Sequence, residues 1–200
     1  MRIFIGIDLD DEIRRKIARF LEGVGGFASE ARWVRPESLH ITLKFIGEQK
    51  EEQVAAIAER LRLVRSGPID IRMAGHGFFP TPKAPRVFWI GIHAGPAFAA
   101  LATQIDAAVG ELGIPREKRE FSPHLTLARA GGGSGDPKWR KGDQPNSVFS
   151  VLQKRLATLG EIDFGTMTAD KFILYQSQLS PAGSKYTKLE RFPMPPAEGS

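Results

Sequence analysis

The chain has 200 residues, with 28 Lys and Arg against 23 Asp and Glu, a formal charge of +5 and a pI near 9.6. That length suffices for one compact domain or two small lobes with a shared core, and the basic balance fits a phosphate-rich partner. Cysteine is absent, which excludes disulfides, thiolate catalysis and cysteine zinc sites; no apolar run approaches the roughly 18 residues of a membrane span, so the expectation is a cytoplasmic protein with no membrane partner.

In chain order, Arg2-Ile3-Phe4-Ile5-Gly6-Ile7 reads as a first strand. The Asp8-Leu9-Asp10 that follows resembles the aspartate pair of metal-dependent phosphatases, but Glu12 stands where that motif wants a threonine. The acids read better as the start of a helix from Asp11 to Phe20, with Ile13, Ile17, Phe20 and Leu21 at helical spacing. Leu39 to Ile46 is short and apolar enough for a strand, and Val54, Ile57, Ala58, Leu61 and Val64 lie on one face of a helix after it. Arg86 to Ile92 reads as another strand, Phe98 to Leu112 as a helix, His124 to Ala128 as a strand and Val148 to Leu156 as a helix with Val148, Val151, Leu152 and Leu156 inward. Between the last two, 130–146 is a Gly/Pro-rich loop, either a basic flap with Lys138, Trp139, Arg140 and Lys141 as contacts to the phosphate-rich partner or an ordinary solvent loop. Gly183 to Glu190 reads as a final strand, and 193–200 as a flexible Pro-rich tail.

One phrase occurs twice: His40-Ile41-Thr42-Leu43 and His124-Leu125-Thr126-Leu127, 84 positions apart, use two of the four histidines. Arg2-Ile3-Phe4-Ile5-Gly6-Ile7 and Arg86-Val87-Phe88-Trp89-Ile90-Gly91-Ile92 each begin 38 residues before their histidine, so the repeat covers strand, helix and histidine strand. The expected organisation is one bilobal domain over 1–192 with pseudo-repeats at about 2–79 and 86–179. Residues i and i+2 of a strand share a face, so His40 with Thr42, and His124 with Thr126, point opposite to their apolar neighbours. His76 and His93 lack the threonine, sit beside glycines at strand ends, and read as structural or surface residues. Trp33 and Trp89 read as core, with base stacking a second option for Trp33 between Arg32 and Arg35.

Two symmetric imidazoles suit in-line displacement at phosphorus, one as base on the attacking oxygen and one as acid on the leaving oxygen, because an unperturbed pKa of about 6.5 allows either protonation state near neutrality. The threonine hydroxyls can donate to non-bridging phosphate oxygens. Strict parity puts Arg129 on the face away from His124 unless a bulge or strand-end twist re-aims it. Lys44 shares the parity of His40 and adds positive potential to the cleft, or else is an edge lysine. The repeat aligns Phe45 with Arg129, and core packing competes there with contact to a substrate.

The doubled His-x-Thr-Leu, the lead-in Arg32-Trp33-Val34-Arg35-Pro36-Glu37-Ser38-Leu39, the exit Lys44-Phe45-Ile46-Gly47, and Ser122-Pro123-His124-Leu125-Thr126-Leu127-Ala128-Arg129 resemble the two-histidine phosphoesterases, specifically the RNA 2′,3′-cyclic phosphodiesterases also called 2′-5′ RNA ligases. The resemblance implies a bilobal α+β fold with an antiparallel sheet in each lobe, flanking helices and an active-site cleft between. It also implies metal-independent opening of a terminal 2′,3′-cyclic phosphate to a 2′-phosphomonoester, with His40 as acid and His124 as base. Arg129 is then a phosphate ligand, and Phe45 faces the nucleobase. The expected partner is RNA with a cyclic phosphate end, or a cyclic nucleotide, met by a monomer without cofactor or metal. Sealing of 2′-5′ RNA ends, hydrolysis of a small cyclic nucleotide, and a non-catalytic RNA-end binding module remain alternatives that share these residues.

Overall fold

A computed structural model describes residues 1–131, 145–181 and 183–199; the proposed flap contacts Lys138, Trp139, Arg140 and Lys141 lie outside them. Strand β1 (Arg2–Asp8) leads into α1 (Asp11–Val24). The Asp10 carboxylate caps α1 by accepting from the Ile13 N–H at 2.8 Å, and Asp11 and Glu12 follow in the first turn, where the helix dipole favours acids. Short β2 (Arg32–Trp33) precedes β3 (His40–Glu48), the first histidine strand, and α2 (Glu51–Leu61) buries Val54, Ile57, Ala58 and Leu61. Then come β4 (Ile69–Phe79), β5 (Val87–Ala94), α3 (Pro96–Gly110) and the second histidine strand β6 (His124–Arg129). Helix α4 (Ser150–Thr158), β7 (Asp163–Ala169), β8 (Lys171–Ser180) and β9 (Gly183–Pro193) complete the described elements.

The strands form two antiparallel sheets, in the orders β3-β1-β8-β9 and β2-β6-β5-β4-β7. The expected α+β architecture is therefore present, but the lobes are not the two halves of the sequence. The first repeat sends β4 into the sheet of the second, where it pairs with β5, and the second sends β8 back to pair with β1. One buried cluster, containing Ile3, Ile41, Leu61, Phe88, Leu101 and Leu125, runs beneath both sheets. A smaller one, Phe4, Ile173 and Tyr175 with Tyr186 against it, lies apart.

Several expectations shift in detail. The α4 segment leaves Val151 exposed and buries Phe149 instead, because the helix begins at Ser150 and turns the valine outward. Met194, placed by its prolines in the tail, is buried, and its N–H donates to Asp170 O at 2.7 Å. His76 lies inside β4, where it meets the rings of Phe78 and Phe88, and no strand ends there.

Candidate active site

The site is built by two β-bulges at matching places. In β3 the partners across β1 are Asp8 for His40, Gly6 for Thr42 and Phe4 for Phe45, with Leu43 passed over. Asp8, Gly6 and Phe4 alternate along β1, so His40, Thr42 and Phe45 share one face. In β6 the partners across β5 are Gly91 for His124, Trp89 for Thr126 and Val87 for Arg129, with Leu127 passed over. An extra residue reverses side-chain parity beyond it, and the bulge brings Arg129 onto the face of His124. It does the same for Phe45, which is 53% exposed beneath the Arg2 guanidinium at 5.0 Å and is not a core residue.

The same bulge takes Lys44 away from the site. Its side chain is 8% exposed, and its ammonium donates to Asp106 Oδ1 of α3 at 2.6 Å and to Pro115 O at 2.7 Å. Neither the cleft reading nor the solvated-edge reading of Lys44 survives, because strict alternation fails at Leu43.

Both imidazoles are held alike. Nδ1 of His40 lies 2.8 Å from Ser38 O and Nδ1 of His124 lies 3.1 Å from Ser122 O, each a carbonyl two residues upstream. A carbonyl only accepts, so each Nδ1 carries the hydrogen and donates, leaving Nε2 as the working nitrogen. Around His40 stand Phe4 at 4.6 Å between centroids, Tyr186 edge-on at 4.9 Å and Tyr175 at 5.9 Å. Phe79 stands edge-on to His124 at 5.1 Å. Burial pushes His40 down to about 4, opposed by the Ser38 hydrogen bond, with the Arg129 charge lowering it further and Asp8 raising it. Burial also lowers His124, again opposed by its carbonyl and assisted by Arg129. Arg129 is itself lowered by burial, as expected of a cation facing a water-poor cleft. The charge of Arg129 thus acts on both imidazoles, although they come from different sheets.

Sequence reading missed the support around His40. Arg14 of α1 donates from Nη1 to Pro36 O at 2.5 Å and from Nη2 to Asp8 Oδ1 at 2.5 Å, tying the helix to the lead-in of the first motif. Lys188 of β9 pairs with the other Asp8 oxygen. Asp8, read with Asp10 as a helix-start acid, is thus bound to Arg14 and Lys188, and Asp10 alone caps α1. The cue to Phe4 is its place between Ile3 and Ile5 on the opposite face of β1; Arg14 carries no comparable cue.

The remaining aromatic and histidine residues divide. Trp33 donates from Nε1 to Ala28 O at 3.0 Å and packs on Phe88, a structural position. Trp89, expected in the core, lies on the cleft face opposite Thr126, over Gly77 and beside Phe79. His93 shares the face of β5 with Gly91, the partner of His124, and its Nε2 is 3.0 Å from Ala74 O. Among the described residues no three His, Asp or Glu side chains gather as a metal-ligand set.

Residues 7–89 and 91–186 match the family described as LigT like Phosphoesterase. An RNA 2′,3′-cyclic phosphodiesterase of Archaeoglobus fulgidus is 38% identical over 192 residues, covering 96% of this chain and 99% of that protein. One of Methanothermobacter thermautotrophicus is 30% identical over 194 residues, covering 96% and 98%. The crystal structure of TT0787 from Thermus thermophilus superposes with a TM-score of 0.76 at 29% identity, covering 98% of this chain and all of that one.

Proposed function

Because this chain belongs to the LigT-like phosphoesterases, we propose that it hydrolyses the 2′,3′-cyclic phosphate of an RNA end to a 2′-phosphomonoester, with His40 and His124 as the proton-transfer pair and no metal in the reaction. The curated relatives that carry this activity in their names match along nearly their whole length. Water attacks phosphorus in line with the 3′ oxygen. His124 Nε2 takes a proton from the water as the new P–O bond forms, and His40 gives the proton on Nε2 to the departing 3′ oxygen. This order of roles follows the family resemblance. Thr42 and Thr126 hydroxyls donate to the non-bridging oxygens and Arg129 balances their charge, while exposed Phe45 offers a face to the terminal base.

The observation that carries the proposal is the matched pair of Nδ1 anchors, which leaves two Nε2 atoms for the two proton transfers under the field of one arginine. A cleft that keeps His40 neutral must charge it before it can act as an acid. A bound phosphate monoanion offsets both Arg129 and the lost solvation, so proton uptake by His40 accompanies substrate binding. The test is turnover of an oligonucleotide ending in a cyclic phosphate, followed by phosphorus NMR in the presence of EDTA. A 2′-monoester formed at an unreduced rate is expected. Loss of activity in chelator, restored by a divalent ion, or formation of the 3′-monoester, would sink the proposal.

A further inference from the structure

The repeat accounts for His40, Thr42, His124 and Thr126, yet the closest aromatic edge on His40 besides Phe4 comes from β9, outside both repeats. Tyr186 pairs with Ser177 across β8, two strands removed from β1, and its phenol nevertheless reaches the imidazole edge-on at 4.9 Å and Phe4 at 5.2 Å. Phe4 and Tyr175, the other rings of this cluster, are buried, whereas Tyr186 is half-buried. It is therefore the ring of this cluster that reaches solvent. Gly6 lies on the same face of β1, where a Cβ would stand 2.8 Å from Ile41 O of β3 and 3.6 Å from the Tyr175 ring.

We propose that Tyr186 is a positioning residue for His40: its ring closes the cleft side of the imidazole, fixing the direction of Nε2 and keeping bulk water off it until substrate enters. The ring stands at 83° to the imidazole, the T-shaped arrangement that aromatic pairs prefer, and by taking the place of water there it favours the uncharged form in the empty site. The other groups acting on His40 are Asp8 from β1, Arg14 from α1, Arg129 from β6 and the Ser38 carbonyl. Lys188 of β9 acts through Asp8, and none of these groups is removed by changing Tyr186.

The inference rests on His40 being a proton-transfer group, and its test includes a readout that does not depend on turnover. Tyr186→Ala, with Tyr186→Thr as a second small variant suited to a strand, is compared with Tyr186→Phe. Opening the ring's place to water is expected to raise the NMR titration midpoint of His40 toward the ordinary imidazole value of about 6.5 and to leave that of His124 in place. It is also expected to lower kcat by about tenfold or more with KM changed far less, the effect of a misdirected group. Tyr186→Phe keeps the ring and is expected to match the parent in both readouts. An unchanged His40 titration in the small variants overturns the proposal. So does Tyr186→Phe behaving like Tyr186→Ala, which would assign the effect to the hydroxyl. Full activity of His40→Ala would instead remove the catalytic reading while leaving the Tyr186 titration result standing.

Discussion

His40 and His124 carry the same anchor and lie under the same arginine, and in the proposed reaction removing either imidazole removes one of two proton transfers. His40→Ala and His124→Ala are each expected to lower the rate by roughly a hundredfold or more, the usual size of a lost acid or base. His76→Ala and His93→Ala are expected to change it little, since His76 packs against rings inside β4 and the His93 imidazole is held by a backbone carbonyl. Steady-state rates of the four variants check this, and four equal losses would count against the paired site. Both imidazoles are held below their ordinary value in the free protein, and an anionic substrate raises them. The bell for kcat/KM, which reports the free enzyme, is therefore expected at lower pH than the bell for kcat. Its limbs belong to the coupled pair. Coincident bells would mean that substrate charge leaves the imidazoles unmoved.

Stability follows the same shift with a definite sign. Unfolded His40 takes up a proton near 6.5 and folded His40 only near about 4, so between these values the unfolded chain binds more protons. The contribution is complete above about 6.5 and is lost as the pH falls through about 4. Its upper size is roughly 3 kcal/mol, from 1.36 kcal/mol per unit. Urea midpoints at pH 7 and 4.5 should therefore lie closer together in His40→Ala than in the parent. An equal gap in both would show that other groups govern acid sensitivity.

At the level of elements, the bulges at Leu43 and Leu127 decide which neighbours of the histidines belong to the site. The Lys44 and Phe45 pair tests this directly, because adjacent residues are assigned opposite consequences. Lys44→Ala leaves Asp106 without its buried partner and is expected to cost about 3 kcal/mol of stability, the scale for breaking such a pair, with KM for RNA nearly unchanged. Asp106 keeps Arg116 at 2.7 Å, which holds the loss to the lower end of that scale. Phe45→Ala uncovers no core and is expected to leave stability within about 0.5 kcal/mol. It raises KM by an amount worth about 1 kcal/mol or more of base stacking. Denaturant melts and substrate titrations of both variants separate the two effects, and the reverse pattern would mean that the strand register differs in solution.

Across the whole molecule, the two sheets face one cleft, and the contacts proposed there beyond the motif pairs are a cation, Arg129, and an aromatic face, Phe45. Such groups grip phosphate or stack on any base with little hydrogen-bond discrimination. Four oligonucleotides differing only in the terminal base are therefore expected to be opened at rates within about tenfold, the 1.4 kcal/mol available from modest differences in stacking. A thousandfold preference for one base would require a base-edge reader among residues to which no such role is assigned.

The repeat, the two histidine strands, the principal helices and the four motif side chains were legible along the chain, because they depend on local periodicity and on an identity between two of its own segments. The side on which Phe45, Lys44 and Arg129 lie was not, since parity along a strand is local only until an inserted residue breaks it. That break shows only in pairing with β1 and β5. The exchange of β4 and β8 between the repeats was equally hidden, because strand partners are chosen by long-range burial and not by spacing along the chain. The same reason places Tyr186, Arg14 and Lys188 around His40: they come from β9 and α1, far from β3 in sequence, and only the closed fold gives their side chains a common neighbour.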